Sequence, residues 1–409
     1  YYIDVKGILR SLHGSAGAIT ALQNSVAHYY QRASSADYLG VDPTRRSLTG
    51  TGGYVKVGRK GNAKWNFSET FTWSSPGFDL NDMGYMKETD YLMNETEIMY
   101  RQTDIWKIFR YNAFTLSQKN MWNYGGTPFS NNASLRWQSM TMNRYEWDVK
   151  ETFAWNWLDS RLLRGGPDVR FGSYFLTSAK FNTDKAKRMM FMLKYEGDHN
   201  FEGNRFNTIS PSLTFRLGNH VYLSGQLDYA WNTDEMQYVA TTSPLSSSSL
   251  APYYYVMGHM DQKTYGLTLK LQVNVTPDIS IQFYGAPFTS IAKYDDFKLA
   301  ADTKSHTFEN RFQRIDPDQL TYADGVYTIG EGAGQMPFRN PDFRFNEFRS
   351  NLVARWEYLP GSTLYFVWEH RMSNRDNWYS SGWGSNLDRM WGLPATNTFM
   401  IKMNYWFNL

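Results

Sequence analysis

The 409-residue sequence predicts an all-β fold, a transmembrane antiparallel up-and-down β-barrel of about 16 strands or slightly more, with long extracellular loops and short periplasmic turns. Three observations predict it. The first is composition: 15 Trp, 29 Tyr and 26 Phe make the chain 17% aromatic, yet its mean hydropathy is −0.56. No window approaches the run of about 18 apolar residues that a spanning helix needs. The second is strict alternation of apolar and polar residues over runs of roughly 10–14 residues, the length of a tilted membrane-crossing strand rather than of a soluble sandwich strand. The third is a rhythm of short and long connections between these runs.

In chain order, residues 1–11 read as a strand whose partner is expected upstream of Tyr1. Residue 1 is Tyr, and no basic segment followed by an apolar stretch marks a signal peptide, so the numbering is expected to begin inside a longer or mature chain. Counting about 16 strands then starts at Ile19. Ala63, Trp65, Phe67, Phe71 and Trp73 alternate with polar residues, as do Tyr145, Trp147, Val149, Phe153, Trp155 and Trp157. Val221, Leu223, Leu227, Tyr229 and Trp231 repeat the pattern after a Gly218-Asn219 turn. Tyr265, Leu267, Leu269, Leu271, Val273 and Val275 share one face, opposite Lys270, Gln272 and Asn274. Pro277-Asp278 turns the chain into Ile279, Ile281 and Phe283. Proline presets φ and aspartate favours the turn, so this is a hairpin. Around Pro360-Gly361, Trp356 and Trp368 lie on the apolar face of the next hairpin. From Phe399 to Leu409 every second residue is apolar. An aromatic strand at the end of the chain suits an outer-membrane barrel, against the alternative of a soluble edge strand.

Short turns are predicted near residues 60–62, 103–104, 143–144, 182–185, 218–219, 277–278 and 360–361. Long connections are predicted at 33–48, 74–88, 159–168, 196–205, 232–261, 292–346 and 373–396. This places the C-terminus at the periplasmic side. The 292–346 loop carries nine Phe and Tyr residues, too apolar for a disordered segment, and is expected to cap or plug the mouth. Only 241–250, rich in Ser, reads as a flexible tip. Nothing recurs at the spacing of propeller blades, so residues 1–409 are expected to form one outer-membrane barrel domain.

Composition narrows the chemistry. The 42 Lys and Arg against 39 Asp and Glu are too balanced for a general nucleic-acid binder. The absence of cysteine excludes disulfides, thiol catalysis, zinc–thiolate sites and iron–sulfur clusters. None of the seven histidines lies at i, i+2 or i, i+4 from another, and there is no G-x-S-x-G elbow or phosphate loop. No catalytic residue, metal ligand or cofactor is assigned. Asp295-Asp296 and Asp316-x-Asp318 could offer calcium ligands, but such short acidic clusters are more often solvated turns, and both lack the ligand spacing of a calcium loop. Arg355, Glu357, Glu369 and Arg371 lie opposite Trp356 and Trp368 and are expected in the lumen, as a selectivity ladder or as an ion-pair network that fills it. Tyr253, Tyr254 and Tyr255 are the extracellular candidates for stacking on a sugar or partner, or for packing the loop.

Asn340-Pro341-Asp342-Phe343-Arg344-Phe345-Asn346-Glu347-Phe348-Arg349-Ser350-Asn351-Leu352-Val353-Ala354-Arg355-Trp356-Glu357-Tyr358, followed by Pro360-Gly361-Ser362-Thr363-Leu364, resembles a specific family. So do Asp316-Pro317-Asp318-Gln319-Leu320-Thr321-Tyr322 and the terminal Lys402-Met403-Asn404-Tyr405-Trp406-Phe407-Asn408-Leu409. The chain is similar to the C-terminal β-barrel domain, of unknown function, of Bacteroidota surface proteins. Their N-terminal sandwich, similar to carbohydrate-binding module family nine, is expected to lie outside this chain. The resemblance implies an outer-membrane location and a link to glycan handling, and carries no catalytic residues. Three functions stay open: a non-enzymatic scaffold of an outer-membrane assembly, a diffusion channel or transporter for glycans or other nutrients, and a barrel-embedded hydrolase. The expected partners are outer-membrane lipid and lipopolysaccharide, other outer-membrane proteins or surface lipoproteins, and glycans.

Overall fold

The computed structural model of the chain describes residues 1–32, 38–81, 86–155, 157–245, 253–377 and 383–407. Alternation dictates strands throughout. The first part comprises β1 (Tyr2–His13), α1 (Ala16–Gln23), β2 (Ser47–Arg59), β3 (Trp65–Ser74), β4 (Tyr91–Gln102), β5 (Phe109–Trp122), β6 (Pro128–Thr141) and β7 (Glu146–Trp155). The short β8 (Trp157–Asp159) and β9 (Val169–Phe171) precede β10 (Tyr174–Asn182), β11 (Met189–Asn200) and β12 (Arg205–Leu217). Three long strands follow, β13 (Val221–Thr242), β14 (Tyr254–Asn274) and β15 (Ile279–Ala300). Then come β16 (Phe312–Arg314), β17 (Leu320–Ala323), β18 (Val326–Ile329), β19 (Met336–Arg339), β20 (Phe343–Leu359), β21 (Ser362–Asp376), α2 (Trp383–Trp391) and β22 (Ala395–Asn404).

One antiparallel sheet holds 17 of these strands, one of them the three-residue β16 that appends to the end of β15. The rest form a sequential meander in which β7 pairs with β10 and β15 with β20. The sheet is not closed. Among the described residues β1 pairs only with β2, and β22 only with β21. Both edge strands are exposed on both faces: Ile3 is 74% and Ile401 72% accessible.

Register makes one face apolar. Met189, Phe215, Leu223, Leu271, Phe283, Leu352, Trp368 and Phe399 lie directly beside one another across eight strands. The next residue on each strand points the other way, and there Thr214, Ser224, Lys270, Tyr284, Asn351, Glu369 and Thr398 make a polar row. The apolar face is largely uncovered, with Leu223, Leu227, Leu269 and Phe366 among its exposed residues. Two carboxylates interrupt it in the first half of the sheet, each held by a threonine hydroxyl: Thr96 donates to Glu69 (2.6 Å) and Thr177 to Glu151 (2.7 Å).

All seven predicted short turns fall between strands, at one rim. Arg144, Gly218 and Gly361 take positive φ there, which lets the chain reverse in few residues. The long connections differ from expectation. Segment 201–204, inside the expected 196–205 connection, is a tight turn because β11 runs on past the expected loop start, and 123–127, for which no connection is predicted, is another. Most of 232–261 is strand: β13 and β14 continue as a ribbon through bulges near Asp234–Gln237 and Tyr238–Ala240. A strand needs only ladder partners, so it can outrun its apolar stretch. Residues 246–250 of the predicted flexible tip lie outside the described residues. The strand expected to start the count at Ile19 is instead helix α1, capped by Ser15, whose hydroxyl accepts the Ala18 N–H (3.2 Å). The last strand stops at Asn404 rather than Leu409; residues 408–409 lie outside the described residues.

Candidate functional site

Two regions have the chemistry of a site: the polar face, and the rim that bears the long loops. On the polar face, the four charges singled out in the sequence share the side opposite Trp356 and Trp368. They do not pair with one another across strands. Arg355 binds Glu357 on its own strand (2.5 Å). Arg371 reaches Glu347 (3.0 Å), which also binds Arg349 (2.8 Å), because register sets Arg349 rather than Glu357 opposite Arg371. Elsewhere on this face Arg136 binds Asp148 (2.5 Å) and Lys194 binds Glu196 (2.6 Å). Both signs are interleaved along the face, the composition of a filled wall rather than of a selective ion path.

The Tyr253–Tyr255 cluster separates. Tyr253 is 70% exposed, whereas Tyr254 and Tyr255 start β14 and pack into two different hydrophobic clusters. One carboxylate of each calcium candidate pair is otherwise engaged. Asp296 faces Lys298 (3.3 Å) and Arg314 (3.8 Å), and Asp316 caps a short turn by accepting the Asp318 N–H (3.1 Å). Among the described residues no group of three His, Asp or Glu side chains is placed to hold a metal ion.

The loop-bearing rim is built from buried charge that no sequence pattern announces. Arg32 pairs with the fully buried Asp90, which also accepts from the Tyr38 hydroxyl (2.6 Å) and the Tyr124 N–H (3.1 Å). His28 is buried beside Asp79 (3.9 Å). Desolvation lowers the His28 imidazole from its usual 6.5, against the pull of Asp79, and burial pushes the Tyr30 phenol up to about 12. The enclosed cavity at this joint is about 30 Å³, room for about two waters and for no substrate.

From this joint the loops bridge one another. Arg32, between the first and second strands of the meander, donates to Ser160 Oγ (3.2 Å), between the seventh and eighth. Arg161 reaches Glu88 (3.4 Å). On the other side of the same loop, Thr303 donates to the Asp168 carbonyl (2.6 Å), and Arg170 to the Lys304 carbonyl (2.8 Å). Arg311, 1% exposed, ties the Arg170 carbonyl (2.8 Å) to Glu202 (2.8 Å). The 301–342 connection that supplies Thr303 and Arg311 folds into a sheet of β17, β18 and β19. Its Ile329 and Phe338 pack with Val256, Phe297 and Leu299 of the long ribbon. Met257, on the opposite face of that ribbon, packs with Leu163, Val169 and Phe312. The ribbon is therefore covered on both faces.

The described part of the loop after β3 also folds inward. Phe78 sits on the polar side of β2 against Gly50 and Gly52, where a Cβ on Gly52 would lie 2.4 Å from the Phe78 ring. Sequence reading passed over this glycine run, although three glycines in four positions of one strand are a sign of close approach.

The profile of one protein family, described as a domain of unknown function (DUF5916), matches residues 13–409, nearly the whole chain. No curated protein and no solved structure matches it.

Proposed function

The chain belongs to the DUF5916 family, whose function is unknown, and on that footing we propose that it is a transmembrane β-barrel of the bacterial outer membrane, occluded at its loop-bearing end, acting as a non-enzymatic scaffold of a surface assembly. The observation that carries this reading is the uncovered apolar row running in register across eight strands above a polar row. Water penalises such a surface by about 25 cal/mol per Å², and lipid does not. The edges fit as well. The meander has an even number of strands, so β1 and β22 run antiparallel and pair directly or through an even number of further strands. An unpaired edge costs several kcal/mol per polar group in hydrocarbon, so the membrane itself drives closure. Short turns and both ends of the meander share the rim assigned to the periplasm.

Occlusion is supported by the bridges at the other rim. In a closed barrel, loops six strand positions apart face each other across the opening, and Arg32–Ser160 and Thr303–Asp168 join such loops. The resemblance to Bacteroidota surface proteins adds the link to glycans, with lipopolysaccharide, outer-membrane proteins and surface lipoproteins as partners. A second reading, a diffusion channel or transporter, draws on a cavity of about 410 Å³ along the polar face, lined by Tyr222, Lys270, Gln272 and Asn351. Planar-bilayer recording separates the two. Protein that inserts and shows no steady conductance supports the occluded scaffold; large, steady single-channel currents from the intact chain reject it in favour of the channel.

A further inference from the structure

We propose that the polar face beside the β8–β9 hairpin is a binding subsite for a neutral saccharide. The hairpin packs near β6, and its Trp157 ring meets Tyr174 of β10 edge to face, with centroids 5.4 Å apart. Between the hairpin and β10–β13 lies a cavity of about 450 Å³, within the size range of small-molecule sites. Four rings line it: Trp157, Phe171, Tyr174 and Phe206. Phe206 is 36% exposed although it points to the polar side, where its neighbours along the strand are Thr208 and Ser210. An aromatic ring left open on a polar wall has no packing role there.

The polar lining is pre-oriented. Asp159 Oδ1 accepts the N–H groups of Arg161 (2.7 Å) and Leu162 (3.0 Å), and among the described residues its other oxygen carries no hydrogen bond. Asp234 Oδ1 accepts the Met236 N–H (2.8 Å), leaving its second oxygen open in the same way. Asn200 Oδ1 takes the N–H groups of Glu202 and Asn204, and Asn204 Oδ1 that of Glu235 (2.7 Å). One atom of each group is held by backbone and its other atom stays open for a ligand. No Lys or Arg lines the cavity, while Asp159, Asp198 and Asp234 do. Anions are therefore disfavoured. Carboxylate and amide groups held beside aromatic faces match a pyranose, whose C–H face stacks on a ring while its hydroxyls donate and accept. A second cavity, of about 350 Å³, shares Leu176, Asp198 and Phe206 and extends the groove along the polar face, as a chain of sugars requires.

This inference rests on the barrel reading, because the polar face must be the inside. The test uses the full chain in detergent micelles, after its insertion into lipid vesicles has been checked. Tryptophan fluorescence and calorimetry are recorded with cellotetraose, maltotetraose, xylotetraose and chitotetraose, and with spermidine and a polygalacturonate fragment as charged controls. Saturable binding of at least one neutral tetrasaccharide is expected, weakened about tenfold by Trp157→Ala and by Asp198→Asn. Inserted protein that binds none of the four, that prefers either charged probe, or whose binding ignores both substitutions overturns the saccharide site and leaves the barrel intact. A chain that does not insert overturns the barrel reading itself.

Discussion

Leu269 and Gln272 lie three positions apart on β14 and point to opposite faces of the sheet. Leu269 is flanked in register by Gly225 and Gly285, so neither directly opposed residue puts a side chain against it, and it is 39% exposed. In a membrane, Leu269→Arg is expected to cost about 2–4 kcal/mol, because a charge at mid-strand meets hydrocarbon. Gln272→Arg points to the polar side and is expected to cost far less. Urea unfolding of vesicle-inserted protein measures both, and equal losses would reverse the assignment of faces. At the rim, Arg32→Ala is expected to destabilise by about 3–5 kcal/mol, since it strands the buried Asp90 carboxylate. His28 adds a pH dependence. Burial depresses its folded pKa below 6.5, so the unfolded chain takes up the proton first as pH falls. Its contribution is fully present above pH 6.5 and is lost as pH drops below that value toward the folded pKa. Melting temperatures measured at descending pH should therefore fall less steeply in a His28→Phe protein; an unchanged slope would show that His28 is not responsible.

Among the elements, β22 ends the meander, and the residues after it hook back onto the β20–β21 turn. The Trp406 N–H donates to Ser362 Oγ (3.0 Å), and a Cβ on Gly361 would lie 3.1 Å from the Trp406 side chain. Deleting residues 405–409 removes this clasp and is expected to leave the protein uninserted and degraded; normal surface levels, read by cell-surface labelling, would contradict it. The 301–342 connection was legible as a packed segment from its aromatic spacing, since so many rings must be buried somewhere. Its expected place was the mouth; the ribbon of β13–β15 on which it packs was not legible. Val256 and Met257 are adjacent in sequence and feed clusters on opposite faces of one ribbon, a division set by partners brought from loops 156–173 and 301–342. The tyrosines of 253–255 divided for the same reason.

For the whole molecule, the open question of closure has a clean test, because the chain has no cysteine of its own. Single cysteines placed at Ile3, Val5 or Leu9 in β1 and at Phe399, Ile401 or Met403 in β22 all lie on the apolar face. If the two edges pair directly in the membrane, at least one combination forms a disulfide in vesicles under oxidation. If none does while the protein is inserted, further strands stand between them. Excising 301–334 should produce bilayer conductance that the intact chain lacks, if the bridged loops are the barrier. Conductance unchanged by the excision would assign the barrier to the ion-paired polar face.

The alternating runs, the seven short turns and the division of those runs into two faces were determined by the sequence, because alternation is a local property with a period of two; where strands continue past their apolar stretch, or give way to helix α1, was not. The faces of Arg355, Glu357, Glu369 and Arg371 followed from the same period, opposite Trp356 and Trp368. Tertiary structure decided everything that depends on register and on contacts distant along the chain. Arg371 binds Glu347 because register sets Arg349 opposite it. Arg32 meets Asp90, and Trp157 meets Tyr174, across stretches of chain that no local pattern links. Helix α1 replaced the strand expected from Ile19 because Ser15 caps an Ala-rich segment of high helix propensity. Buried charge and open aromatic rings acquire their meaning only from what folding places beside them, and for this chain those neighbours come from loops far apart in sequence.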